Sequence, residues 1–248
     1  MMDYLTDQQL IDKFGIKEND RILDIGGSTK QHEVLQIDTV VDIVRPENAP
    51  YWQSKLKAKN FVETDITRRD LPFNDKEFDF CLCTHTLEDI DTPFLIIDEM
   101  SRVAKRGYIA VPTRGKDSEF SHFNLTDWLS GPRRVPGLAH HQWFFEIIGN
   151  KIQITPKNYP LLYTKDFSIV KWSGDEELQF YWENKINYKA FKSVNFHELI
   201  KNYRDFMIKN SKMIKRGKPL VFLDNPFFIF KELIKMLLRK GEGFRNAR

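Results

Sequence analysis

The residues of this 248-residue chain with types and spacing suited to chemistry are acids, glycines and histidines that follow short apolar runs. The first group is Asp24-Ile25-Gly26-Gly27-Ser28. A glycine pair directly after an apolar run lets backbone N–H groups come close to a bound ligand, because no Cβ intervenes. Asp42 follows Asp24 by 18 residues. In nucleotide-binding α/β sheets an acid so placed accepts hydrogen bonds from ribose hydroxyls. Asp65 closes a third apolar run. Each acid alone reads readily as a turn former. Three of them in this order point to one nucleotide site at the carboxyl ends of strands.

Proton-transfer candidates come next. His85 follows the fourth apolar run, and Glu88 lies one helical turn beyond it. Histidine is the side chain best poised near neutral pH, so His85 reads as a catalytic base with Glu88 orienting it. A loop-shaping hydrogen bond for His85 and a first-turn acid for Glu88 stand beside that reading. His140-His141 follows a loop rich in Gly, Pro and Arg, and loops carry much function. In a strand the two rings would point apart, so one of them, His141, is expected to line a substrate pocket. His122 is a weaker candidate of the same kind. Arg133 and Arg134 suit a phosphate or carboxylate, or a solvated surface pair. No His-Glu-x-x-His spacing is present, and no metal site is expected.

These groups need elements to hold them. Residues 4–15 read as a helix capped by Thr6, with Leu10, Ile11 and Phe14 on one face. Strands are expected over 21–25, 39–43, 60–65, 77–84 and 107–112, with a helix over 94–103. The fourth run is apolar enough to be buried on both faces. Cys81 and Cys83 point to one face of it and read as core packing, which also excludes a disulfide framework. Strands alternating with helices or crossovers imply an α/β fold, a mostly parallel sheet covered on both sides. Further on, Trp143–Ile148 and Lys151–Thr155 flank Gly149-Asn150 and read as a β-hairpin. Residues 174–208, dense in aromatics, read as helical.

With these residues in place, Arg21 to Pro112 resembles a class I S-adenosylmethionine-dependent methyltransferase of the small-molecule, type 11-like kind. Leu23-Asp24-Ile25-Gly26-Gly27 is similar to the family's first motif, and Asp42 matches its ribose-binding acid. Thr64-Asp65-Ile66 is similar to the adenine-contacting segment. The run from Phe78 through Thr84-His85-Thr86-Leu87-Glu88 to Ile90 is the most specific part of the likeness. The resemblance implies a Rossmann-like, doubly wound sheet. It implies S-adenosylmethionine held by Asp24, Gly26, Gly27, Ser28, Asp42, Ile43, Asp65, Ile66 and Thr84. The sequence departs from the family in three places. Ser28 stands where a further glycine is usual, and its hydroxyl is expected to hydrogen-bond the cofactor. The crossover over 29–38 is short, so its helix is expected to be two turns or irregular. Position 89 is Asp where the family often has His. A nicotinamide-binding domain would show the fuller Gly-x-Gly-x-x-Gly spacing, which is missing.

Composition sets the remaining expectations. No run of about 18 apolar residues suggests a membrane span. The first residues lack the order of a secretory signal, and a cytoplasmic location is the default. Residues 209–248 carry eleven Lys/Arg against three acids, a net +8 that leaves residues 1–208 at −5. Within that tail, Phe230, Leu233, Ile234, Leu237 and Leu238 share one helical face, with Lys231, Lys235 and Arg239 on the other. Residues 226–240 therefore read as a basic amphipathic helix, lying on the inner face of a membrane or docked on the protein itself. Nucleic acid ranks lower as a partner, since the body is acidic and lacks a basic–aromatic stacking pattern. Two regions are expected: a cofactor-binding domain over 1–172 and a helical extension over 173–248. The expected function is methyl transfer to a small-molecule or glycan acceptor, such as a lipid-linked or surface polysaccharide precursor. A non-catalytic cofactor-binding module or a membrane-surface module is the alternative.

Overall fold

Four short apolar runs, each ending at a glycine, an acid or a hydroxyl residue, organise the sheet. They are β1 (Ile22–Ile25), β2 (Thr39–Asp42), β4 (Phe80–Thr84) and β5 (Arg106–Pro112), with β3 (Asn60–Glu63) at the edge. The computed structural model describes residues 5–29, 31–49, 53–68, 70–120, 135–191, 195–216 and Ile234. The sheet order is β3-β2-β1-β4-β5-β9, where β9 is Glu177–Glu183. The first five strands are parallel, and β9 runs antiparallel to β5. The chain travels outward from β1 to β3 and then returns to β4 beside β1. That reversal creates a crevice at the carboxyl ends of β1 and β4, where ligands bind in such sheets.

Alternation along the strands divides the core into two faces. Leu23, Ile25, Cys81, Cys83, Ile109 and Val111 pack with Ile96, Ile97, Met100 and Val103 of helix α2 (Pro93–Val103). Ile22, Val40, Phe80, Leu82, Tyr108 and Ala110 pack with Leu10 and Phe14 of helix α1 (Asp7–Phe14). Fully burying an aliphatic or Phe side chain contributes about 1.5–3 kcal/mol, so one helix on each face suffices to fix which way the strands face. Cys81 and Cys83 are fully buried on the α2 face, as their spacing implied. Burial pushes both thiols well above their ordinary pKa, which leaves them unreactive.

Helix α1 does more than cover the sheet. Thr6 caps it and Gln9 completes a reciprocal capping box. The described residues between Ser28 and Thr39 form no helix, so this crossover is irregular. Asp7 holds it instead. Its Oδ2 accepts the N–H groups of Glu33, Val34 and Leu35 at 2.7, 2.8 and 3.1 Å, and its Oδ1 faces His32 Nδ1 at 2.7 Å. Burial works against the Asp7 charge, but these donors outweigh it and hold the carboxyl at about 2.

Beyond β5, β6 (Trp143–Ile148) and β7 (Lys151–Pro156) form the expected hairpin, with Gly149 in the left-handed region at φ +61°. The short strand β10 (Tyr188–Ala190) adds to β7 in parallel. The helical reading of 174–208 is therefore corrected. Among the described residues of that stretch, helix is confined to α5 (Phe196–Lys209), and β9 and β10 precede it. In β9 the aromatics alternate: Leu178, Phe180 and Trp182 join the α2-side core, while Tyr181 stacks on Phe14 at 4.9 Å. That is the period of a strand, hidden by the density of rings.

The chain divides into two compact units, each assembled from three stretches of sequence. One comprises 1–116, 140–158 and 174–202; the other comprises 117–139, 159–173 and 203–248. In the second unit β8 (Ile169–Trp172) pairs antiparallel with β11 (Ile214–Arg216). Phe167 meets Tyr203 edge-on and Trp172 stacks near Phe206. Short helical turns occur at Arg114–Asp117 (α3) and Tyr159–Leu162 (α4). Among the described residues no helix is long and apolar enough to cross a membrane.

Candidate active site

The glycine loop leaves β1 under two constraints. Gly26 adopts φ +76° and donates its N–H to the Val41 carbonyl at 2.8 Å. A Cβ there would lie 2.1 Å from Thr86 Oγ1, and one on Gly27 would lie 2.1 Å from Asp24 Oδ2. The glycines thus let the turn close over the Thr86 loop and over Asp24. Asp24 is 2% exposed and lies on the α1 side of the sheet, where His32 Nε2 stands 3.5 Å from Oδ2. Burial disfavours a charged His32 ring, but Asp24 and Asp7 together raise its pKa. Asp24 Oδ1 is buried and has no hydrogen-bond partner among the described residues. A buried acceptor of this kind is costly until a donor reaches it, and a ligand ammonium would supply one.

Ser28 takes a different role from the one expected of it. Its hydroxyl donates to the Val44 carbonyl, and the residue is fully buried, so it ties the loop to the end of β2. Its N–H donates to Asp42 Oδ2 at 3.0 Å, and the Ile43 N–H donates to Asp42 Oδ1 at 2.7 Å. Each carboxylate oxygen has two lone pairs, so these bonds orient Asp42 and leave acceptor capacity for a diol. Ile43 is 63% exposed beside a cleft of about 350 Å³ lined also by Glu63, Thr64, Asp65 and Arg68. Asp65 Oδ1 accepts from Thr67 N–H and Oγ1, and Oδ2 pairs with Arg68 at 3.0 Å. The acids at the ends of β2 and β3, with the exposed Ile43 side chain between them, fit a ribose and an adenine. Ile66 is instead buried in the cluster that holds Leu23, Ile25 and Val41. Thr84 ends β4 half-buried, and its carbonyl accepts from Thr86 Oγ1 at 3.2 Å.

His85 is not a free base. It sits at φ +50°, with Nε2 2.8 Å from Glu177 Oε1 and Nδ1 3.2 Å from Glu88 Oε1. Burial alone would favour the neutral ring, but the two carboxylates reverse this and raise its pKa to about 9. At neutral pH the ring is an imidazolium clamped between two acids. A ring so held differs from the base near neutrality expected of His85, while Glu88 lies beside it, one turn on, and helps to hold its proton. Glu177 was not foreseen. It lies opposite Pro112 in the β5–β9 register, while the His85 N–H donates to Ala110 in β5. An acid opening the alternating run of β9 was the signal available.

His140 and His141 also differ from expectation. They lie in a turn before β6 rather than in a strand, so their rings do not diverge. The rings meet edge-to-face at 4.8 Å, and both Nε2 atoms face Asp89 Oδ1, at 3.7 Å from His140 and 3.5 Å from His141. His122, Arg133, Arg134 and the 226–240 segment lie outside the described residues, Ile234 apart.

Residues 23–111 match the family model described as "Methyltransferase domain", Methyltransf_11. Among curated proteins, the chain is similar to a dimethyladenosine transferase of Schizosaccharomyces pombe. The two are 23% identical over 239 residues, which covers 85% of this chain and 73% of that protein. It is 36% identical over 89 residues to the uncharacterized protein MJ1123 of Methanocaldococcus jannaschii, covering 35% of this chain and 40% of the other. A solved SAM-dependent methyltransferase from Aquifex aeolicus shares 21% identity and aligns with a TM-score of 0.32, covering 43% of this chain and 64% of that one.

Proposed function

We propose that residues 23–111, which match the methyltransferase-domain model, form a class I S-adenosylmethionine-dependent methyltransferase domain, and that the chain transfers methyl groups to a small-molecule or glycan acceptor. S-adenosylmethionine supplies an electrophilic methyl group carried on a sulfonium. The observation that carries the reading is the set of acceptors at the carboxyl ends of β1, β2 and β3. Asp24 offers a buried acceptor for the ammonium, Asp42 orients the ribose, and Ile43 and Asp65 border the adenine cleft. His85, held as an imidazolium, positions Glu88 and Glu177 rather than taking a proton.

The acidic body, −5 over residues 1–208, supports an uncharged or cationic acceptor over a phosphate backbone. The S. pombe relative, named a dimethyladenosine transferase, favours a second reading, an adenosine acceptor. Calorimetry with S-adenosylmethionine and its demethylated product tests the first step. The Asp42→Ala variant should bind roughly 100-fold more weakly, the loss of about two charge-assisted hydrogen bonds, while the melting temperature, measured alongside, reports the bonds to Ser28 and Ile43. No binding of either compound by the unaltered protein would sink the proposal. Transfer of labelled methyl to hydroxylated small molecules and sugars, run against RNA, decides the acceptor.

We also propose that the basic segment 226–240 brings the protein to the cytoplasmic face of an anionic membrane, where a lipid-linked or surface polysaccharide precursor would be met. Each Lys or Arg near such a surface contributes about 1 kcal/mol. The protein should then pellet with anionic liposomes in low salt. Indifference to them, or an unchanged location after deletion of 226–248, counts against the idea.

A further inference from the structure

The loop after β4 and the turn before β6 are fastened to each other. Gln142 donates its N–H to the Glu88 carbonyl at 2.6 Å, and its side-chain amide donates to the Asp89 carbonyl and to Asp91 Oδ1 at 3.0 and 2.8 Å. Trp143 Nε1–H donates to the Ile90 carbonyl at 2.9 Å. These bonds set His140 and His141 against Asp89. One ligand atom from each of the three residues lies within 4.8 Å of the other two.

The distances decide what this cluster is suited to. Nε2 to Oδ1 separations of 3.7 and 3.5 Å exceed the roughly 2.7–3.2 Å of a hydrogen bond. They match the edge of a coordination polyhedron. Ligand bonds of about 2.1 Å at near-tetrahedral angles put neighbouring donor atoms about 3.4 Å apart. Two imidazoles and one carboxylate, with no thiolate, form the donor set preferred by divalent first-row metals. The side chain of His141 is 4% exposed and that of His140 is 63% exposed, so one side of the cluster is walled and the other open. An open side is what a catalytic ion needs, since three protein ligands leave a place for water or substrate.

We propose that Asp89, His140 and His141 bind a divalent transition-metal ion. Resting on the methyl-transfer reading, the ion serves a hydroxylated acceptor. An acceptor hydroxyl coordinated there gives up its proton to solvent more readily. Its oxygen then forms the new C–O bond as the methyl carbon's bond to sulfur breaks, and the sulfur keeps that electron pair. This supplies the activation that the clamped His85 does not.

The test uses the full chain, stripped with a chelator and titrated with Co²⁺, followed by calorimetry and by the visible spectrum of the bound ion. The expected result is one equivalent bound. His140→Ala and Asp89→Ala should each weaken binding by more than the roughly 10–100-fold that a change beyond the ligands costs. S-adenosylmethionine affinity should stay unchanged in both variants. His140 is exposed, so its variant keeps the fold even if the Asp89 variant does not. Absence of stoichiometric binding, or binding retained in His140→Ala, overturns the site. Retained cofactor affinity with no metal binding overturns this inference alone, whereas loss of cofactor binding in the unaltered protein overturns the function beneath it.

Discussion

Gly26→Ala is expected to cost about 2–5 kcal/mol of stability and to weaken cofactor binding at least tenfold. Two separate effects add up to that figure. At φ +76° a residue with a Cβ adopts the left-handed region at about 1–2 kcal/mol. The new methyl group would also lie 2.1 Å from Thr86 Oγ1 and 2.6 Å from its Cγ2. Overpacking of that kind costs typically about 1–3 kcal/mol. Thr86 cannot move away freely, since Oγ1 donates to the Thr84 and Ile25 carbonyls at 3.2 and 3.4 Å. Any movement is passed to the loop that carries His85 and Glu88 and to the amides at 27 and 28. Denaturant unfolding with calorimetry measures both losses. The mechanism is checked by the double variant: removing the Thr86 hydroxyl and methyl with Thr86→Ala should recover the clash component and leave the φ cost. Equal destabilisation by Gly26→Ala in both backgrounds would rule out Thr86 as the cause.

Stability is expected to fall by about 3 kcal/mol as pH rises from 6.5 through 9. His85 has its folded pKa raised from 6.5 to about 9 by Glu177 and Glu88 working against burial. A raised pKa means that the folded state holds the proton more tightly than the unfolded chain. The contribution is therefore complete below the unfolded value near 6.5 and is lost as pH passes the folded value. The side chain is 20% exposed, so water screens the contacts only in part. A tenfold difference in proton affinity between the two states corresponds to about 1.4 kcal/mol. Denaturant midpoints at intervals across this range should trace the decline. His85→Asn, which tolerates φ +50°, should lower stability at pH 6.5 and flatten the profile. A profile equally steep in the variant would assign the dependence to other groups. The same clamp predicts that the methyl-transfer rate shows no rise centred near pH 6.5, the rise that a histidine base would give.

Much of the sheet was readable from local pattern. Asp24, Asp42 and Asp65 follow apolar runs, and the alternation of Phe80, Cys81, Leu82 and Cys83 assigns each to its face without knowledge of the partners. Hairpin β6–β7 was readable because Gly149-Asn150 suits a tight turn. Strand β9 was not, because Phe180, Tyr181 and Trp182 satisfy a helical and an extended spacing alike until the antiparallel pairing with β5 selects one. The His85–Glu177 pair spans 92 residues and depends on that pairing, so the acid that opens β9 was visible in the sequence but its partner was not. The convergence of His140 and His141 was concealed by assuming a strand where the chain turns. Ser28 was misjudged for a similar reason, since the acceptor for its hydroxyl, the Val44 carbonyl, comes from another part of the chain.

The irregular crossover has a consequence for how the site opens. In a crossover that carries its own helix, amide protons are guarded by neighbours one turn away and can fray independently. Here the Glu33, Val34 and Leu35 amides share a single acceptor oxygen, Asp7 Oδ2, more than twenty-five positions earlier in the chain. Their deuterium uptake is bound to a single event, the undocking of α1. His32 is released by the same event, since it loses Asp7, and with it goes the ring facing Asp24. The first helix thus acts as a latch on the glycine loop. The pocket beside the buried Asp24 carboxylate is walled by Gln31 to Ile37 of this same crossover, so undocking of residues 7–14 would loosen that wall.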